Sequence, residues 1–201
     1  MDLSQYHGLI FDMDGTLIDS MPAHLKAWRA ACEQFCIPFD PKWLMSLGGS
    51  PTVKTAQMMN EKYQLQHSVQ VVADTKWQFF EALEHKGEVI PATFSLLMRY
   101  RGEKKIAVGT GCRKSNALEL LSMTDILPSL DALVTADDVR NHKPHPDTFL
   151  EAAQRIGLVP SQCVVFEDTS LGRQAALAAG MDCFLVVDGK IKEFTSASSL
   201  E

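Results

Sequence analysis

From Pro91 onward, longer amphipathic stretches alternate with short apolar runs: "TFSLLMRYR" then "KIAVGT", "KSNALELLSM" then "ALVTA", "PDTFLEAAQRI" then "CVVFE", "LGRQAALAA" then "CFLVV". The longer members carry apolar residues at helical spacing. The short ones are continuous apolar runs, which suit strands buried on both faces. A helix between each pair of strands calls for right-handed crossovers and therefore a parallel sheet. "LIF" at 9–11, stopped by "DMDG", joins that sheet, and "CFLVV" is expected to be its last strand.

Residues 19 to 88 follow a different rhythm, with no strand-like run. Leu25, Trp28, Ala31/Cys32 and Phe35 recur at helical spacing behind Pro22. Ser50 is expected to cap, and Pro51 to start, a helix carrying Ala56, Met59 and Tyr63. Val69, Val72/Ala73, Lys76/Trp77 and Phe80 mark a third helix, expected to end at Gly87. At roughly 70 residues this block is too long for an ordinary loop. The expected architecture is a Rossmann-like α/β core, residues 1–18 and 89–201, with a small all-helical cap, residues 19–88, inserted after the first strand.

Parallel strands deliver their C-terminal ends to one edge, where open α/β sheets bind ligands. Here that edge collects Asp12, Asp14 and Thr16 after the first strand, and Thr110 and Gly111 after the second. Lys143 follows the third, and Glu167 and Asp168 end the fourth. Three or four carboxylates within hydrogen-bonding range do not all stay ionised without a cation. Oxygen donors in that number suit Mg²⁺ and not Zn²⁺ or Cu²⁺. Lys143, a hydroxyl and a Gly-flanked turn supply donors for a phosphate. A carboxylate attacking a phosphate dianion meets repulsion of roughly 8 kcal/mol, taking two unit pairs at ~4 Å and an effective dielectric of ~20. A divalent cation and Lys143 offset a term of that size. Phosphoryl transfer through an aspartyl-phosphate uses every one of these groups.

Composition narrows the partners. Nineteen basic against 25 acidic residues give a net charge of −6, with no basic cluster, which argues against nucleic acid or an anionic membrane surface. The opening "MDLSQYHG" is polar and no run reaches membrane-spanning length, so a cytoplasmic protein is expected. The five cysteines form no CxxC pair and read as reduced thiols. Cys112, after the phosphate turn, reads as packing or as a thiol with a depressed pKa.

"DMDGT", "VGTG", "HKPHPDTF" and "FEDTSLG" resemble, in order, the four motifs of the haloacid dehalogenase superfamily, over nearly the whole chain. "PAHLKAW" resembles the segment leading into the cap of the β-phosphoglucomutase-like subfamily, and the sequence is similar to its fructose-1-phosphatase-like members. The resemblance implies Asp12 as nucleophile, Asp14 as general acid and base, and Thr110 and Lys143 as holders of the transferring phosphoryl. It implies Mg²⁺ on Asp12, the Asp14 backbone carbonyl and Asp168, with Glu167 binding directly or through water. Thr16, His24, Gly49, Ser50 and Gly111 are expected on the substrate side. For His24 the rival reading is packing on Trp28; for Gly48, Gly49 and Ser50 it is stopping one helix and capping the next. The implied function is a Mg²⁺-dependent phosphatase for a small phosphorylated sugar, such as fructose 1-phosphate, acting as a monomer without nucleic-acid or membrane partners. The alternatives are a sugar-phosphate mutase of the β-phosphoglucomutase type and a receiver-like signalling module. Gly48, Thr52 and Thr16 stand where the mutase branch tends to carry Lys, Arg and Val. Asp14 and the helical insert serve no purpose in a signalling switch.

Overall fold

The computed structural model describes residues 1–200. Five parallel strands, β1 (Gly8–Phe11), β2 (Lys105–Gly109), β3 (Ala132–Val134), β4 (Cys163–Glu167) and β5 (Asp182–Val187), are joined by the antiparallel β6 (Lys190–Thr195) in the order β3-β2-β1-β4-β5-β6. β1 is central, pairing with residues 105–108 on one side and 163–166 on the other.

Because strand side chains alternate in direction, each strand feeds two cores. Leu9, Phe11, Ile106, Val108, Val164 and Phe166 face α5 (Pro91–Tyr100) and α6 (Lys114–Ser122). Ile10, Ala107, Val165 and Cys183 face α7 (Asp147–Arg155) and α8 (Ser170–Ala178). Phe11, Phe166 and Phe184 stack in succession across the first face, with centroids 4.8 and 5.5 Å apart.

"CFLVV" is not the last strand. β6 follows across Asp188-Gly189, both at positive φ, as a two-residue type I′ hairpin loop requires. Its "KIKEFT" is a largely exposed edge with two lysines and no apolar run, so the apolar criterion passes over it. The Asp-Gly pair was the available signal.

The insert holds four helices: α1 (Met21–Gln34), α2 (Pro41–Ser46), α3 (Thr52–Tyr63) and α4 (Val69–Glu81). They share a core that includes Trp28, Ala31, Leu44, Ala56, Met59 and Val72. Ala23 and Ala27 of α1, with Trp77 and Phe80 of α4, join the sheet core instead, so the insert rests on the α5/α6 side. Two segments cross between the parts side by side, with Asp19 N–H donating to Glu88 O and Ile90 N–H to Leu17 O, each at 2.8 Å.

Three local expectations are corrected. Ser50 caps nothing: Pro51 is the N-cap of α3, and no side chain caps that helix. α4 stops at Glu81, well before Gly87. The short α2 was not expected; Asp40 caps it by accepting from Trp43 N–H at 3.1 Å, and Pro41 sits at its first position.

Candidate active site

Asp12 leaves the end of β1 with its N–H on Phe166 O at 2.9 Å, which continues the ladder and sets the carboxylate at the sheet edge. Lys143, from the loop before α7, donates to Asp12 Oδ1 at 2.5 Å and to Glu167 Oε1 at 2.8 Å. Glu167 is fully buried, and its Oε2 accepts from the Thr169 N–H at 2.5 Å and hydroxyl at 2.8 Å. A Cβ at Gly172, in the first turn of α8, would lie 1.8 Å from Glu167 Oε1. Only a glycine there lets the carboxylate tuck against the helix.

Asp12, Glu167 and Asp168 each offer an oxygen within 4.8 Å of the others. Burial pushes Asp12 up to about 7, with Glu167 and Asp14 adding to the rise and Lys143 opposing it. Burial, then Glu167 and Asp12, push Asp168 up to about 9. Burial works against the Lys143 ammonium, but Asp12 and Glu167 overcome it and hold it above the usual lysine range. Three carboxylates and one lysine cannot all stay ionised at this spacing, and the raised pKa values of Asp12 and Asp168 record that conflict, which a cation would relieve. Hard oxygen donors in that arrangement fit a divalent cation of the Mg²⁺ type.

The Asp14 side chain turns the other way. Its Oδ1 accepts from Ser20 Oγ at 2.5 Å and meets His24 Nε2 at 3.2 Å. Burial opposes its ionised form, but His24, Ser20 and Lys76 keep its pKa below the usual carboxylate value. His24 Nδ1 lies 2.8 Å from Lys76 Nζ, so one imidazole bridges Asp14 to a lysine. The ring stacks on Phe80 at 4.3 Å and stands edge-on to Trp77. Its stacking partners are therefore Phe80 and Trp77, and not the Trp28 that the rival packing reading named. Lys76 is 1% exposed, with Nζ 3.6 Å from the Trp77 ring centre. Burial lowers its pKa to about 7.

Between insert and sheet edge lies a cavity lined by Asp12, Asp14, His24, Lys76, Thr110 and Gly111, with Gly49 and Ser50 from the α2–α3 loop. Thr110 N–H donates to Val134 O at 2.9 Å, and its hydroxyl accepts from Cys112 N–H at 3.0 Å, shaping the turn through Gly111. A Cβ on Gly111 would lie 2.5 Å from Gly49 O, so insert loop and core loop touch backbone to backbone. Thr16 is not at this cavity. It is buried, its hydroxyl 3.4 Å from Asp168 Oδ1, which places it under the acidic group. Cys112 is buried and its thiol is pushed well above its ordinary pKa by burial, which fits packing.

Lys76 is the site residue the sequence reading missed. In the sequence it occupies one position of an apolar helix stripe. A lysine on a buried face is rare unless paired, and that contradiction was the signal.

A buried carboxylate held on a lysine, beside a group suited to a cation, is what cleavage of phosphoric monoesters asks for, and this chain is such a hydrolase. It belongs to the haloacid dehalogenase-like hydrolase family, whose sequence model matches residues 9–186. It is 42% identical over 179 residues to the fructose-1-phosphate phosphatase YqaB of Escherichia coli, covering 89% of this chain and 95% of that protein. It is 28% identical to the beta-phosphoglucomutase of Bacillus subtilis, over 86% of this chain and 80% of that one. Among solved structures, the beta-phosphoglucomutase of Clostridium difficile superposes with a TM-score of 0.80 at 26% identity, covering 91% of this chain and 85% of that one. Among the described residues no helix is long and apolar enough to cross a membrane.

Proposed function

We propose that the protein is a Mg²⁺-dependent phosphatase that hydrolyses a small phosphorylated sugar of the fructose 1-phosphate kind through an aspartyl-phosphate. The observation that carries this reading is the buried Asp12–Lys143–Glu167 cluster at the foot of a cavity roofed by the helical insert. The similarity to a fructose-1-phosphate phosphatase supports the substrate class. The five free cysteines support a reducing cytoplasm as its compartment.

In the first step an Asp12 carboxylate oxygen attacks phosphorus and the ester P–O bond breaks, while Asp14 gives its proton to the departing sugar oxygen. In the second, Asp14 takes a proton from the water that attacks the phosphorus of the aspartyl-phosphate, releasing phosphate and restoring Asp12. Lys143 and Thr110 hold the transferring oxygens. Asp12, Glu167, Asp168 and the Asp14 carbonyl would hold Mg²⁺. When bound, the ion supplies positive charge against the repulsion between carboxylate and phosphate.

The Asp14–His24–Lys76 chain gives Asp14 its two protonation states. With Lys76 as ammonium, Nζ donates to Nδ1 and Nε2–H donates to the Asp14 carboxylate. If Lys76 passes a proton to Nδ1 as Nε2 passes one to Asp14, the amine is neutral and Asp14 is the acid. No heavy atom moves.

The mutase alternative needs cations for a second phosphate. Among the described residues lining the cavity, Lys76 is the one lysine or arginine, and Lys54 is exposed outside it. That lining favours hydrolysis. Initial rates of phosphate release across a panel of sugar and polyol phosphates with Mg²⁺ test the reading. Turnover of β-glucose 1-phosphate to glucose 6-phosphate, with little phosphate released, would replace it with the mutase.

A further inference from the structure

Gly48 and Gly49 stand together in the α2–α3 loop for different reasons. Gly49 has φ +82°, a conformation that other residues rarely adopt. Gly48 has no positive φ, so what excludes a side chain there is space. A Cβ on Gly48 would lie 3.0 Å from the Thr169 methyl carbon, inside the ordinary carbon contact of about 3.5–4.0 Å. The loop backbone therefore rests on Thr169. A Cβ on Gly49 would lie 3.6 Å from the hydroxyl of the same residue and 3.6 Å from Lys143 Cδ.

Thr169 follows Glu167 and Asp168 and caps α8. Its hydroxyl is fully engaged within the core, donating to Glu167 Oε2 at 2.8 Å and accepting from Gly172 N–H at 3.0 Å. The methyl is the part that meets Gly48 of the insert. We propose that Thr169 is a positioning residue with two separable halves: its hydroxyl fixes Glu167 for the cation, and its methyl seats Gly48 so that the insert loop closes over the sugar phosphate. A β-branched side chain suits this task, because it carries both groups on one stiff Cβ. One residue thus joins the buried carboxylate to the roof of the cavity, which Gly48 and Gly49 line. The proposal rests on the phosphatase reading and deepens it.

Substitution separates the two halves. Gly48→Ala should raise KM for the best sugar phosphate of the panel about 5-fold or more, the low end of overpacking costs. It should also speed hydrogen exchange across residues 47–51, between α2 and α3. Thr169→Ser deletes the methyl and keeps the hydroxyl, and serine is as good a helix cap as threonine. In the Thr169→Ser background the KM penalty of Gly48→Ala should shrink to about twofold, and the loop exchange should slow again. An equal penalty in both backgrounds, or none from Gly48→Ala alone, overturns the proposal. A second arm reads the hydroxyl without turnover. Thr169→Val keeps a methyl and deletes the hydroxyl, so Mn²⁺ affinity by electron spin resonance should weaken roughly 10- to 100-fold, against about twofold or less in Thr169→Ser. A Thr169→Val protein that binds Mn²⁺ normally and only melts earlier would make the hydroxyl a helix cap and nothing more, which also overturns the proposal. Failure of the phosphatase reading looks different: the unmodified protein would release no phosphate from any sugar phosphate, while loop exchange and Mn²⁺ affinity would still decide the role of Thr169.

Discussion

Lys76→Met should change the pH dependence of stability in a direction the geometry dictates. The ammonium sits in a cavity wall of aromatic rings, and its pKa falls from 10.5 to about 7. That gap of roughly 3.5 units, at about 1.4 kcal/mol each, is a charging penalty on the order of 5 kcal/mol in the folded state. Above pH 7 the folded protein holds Lys76 neutral, whereas the unfolded chain keeps that proton until about pH 10.5. The unfolded state therefore binds more protons across this window, and the Lys76 contribution to stability rises with pH. Below pH 7 both states are protonated and the contribution is flat. Methionine fills similar space without titrating. Urea unfolding of the ligand-free protein at pH 7.5, 8.0, 8.5 and 9.0 should show the stability of the unmodified chain gaining on the variant by about 1.4 kcal/mol per pH unit. The difference cancels the shared groups that do not sense Lys76, including the buried Cys32, Cys163 and Cys183, whose thiols burial pushes up. Parallel stability curves over that range would refute a buried, proton-losing Lys76.

Three further outcomes follow from the site. Asp14→Ala should lower kcat on sugar phosphates by 10²-fold or more, the usual scale of a general acid, and lower it less on aryl phosphates, whose leaving groups need no proton; equal losses in a rate comparison would contradict the acid role. Gly172→Ala drives a Cβ into Glu167 Oε1, so Mn²⁺ affinity by electron spin resonance should weaken roughly 10- to 100-fold, the range for groups that support metal ligands. Gly111→Ala sets a Cβ against Gly49 O, so the insert loop should fail to seat and KM should rise with little change in melting temperature.

What the sequence made legible is what burial writes plainly. β1, β2, β4 and β5 are near-continuous apolar runs because both faces of each strand are covered, and the residues after them crowd one edge because parallel strands share a direction. β6 was illegible to that logic because it is an exposed edge held by a hairpin turn, and α2 because its six residues span too little chain for a period. The directions of side chains were hidden more deeply. Nothing in "DMDGT" tells that Asp14 turns to His24 while Thr16 lies under Asp168. For Lys76, helical position indicated burial and residue type indicated exposure, and the sequence reading followed neither to a partner across the cavity. Three-dimensional pairing with His24, 52 positions earlier in the chain, resolves that conflict.

The central claim is that Asp12 carries the phosphoryl group during turnover. The measurement is mass spectrometry of peptides from enzyme quenched in acid while hydrolysing its best sugar phosphate with Mg²⁺. The account predicts a phosphorylated Asp12 that appears with substrate and decays once substrate is spent, and an Asp12→Asn protein that is folded, unmodified and inactive. Steady hydrolysis with Asp12 never modified, together with more than a few per cent of activity in Asp12→Asn, would contradict it.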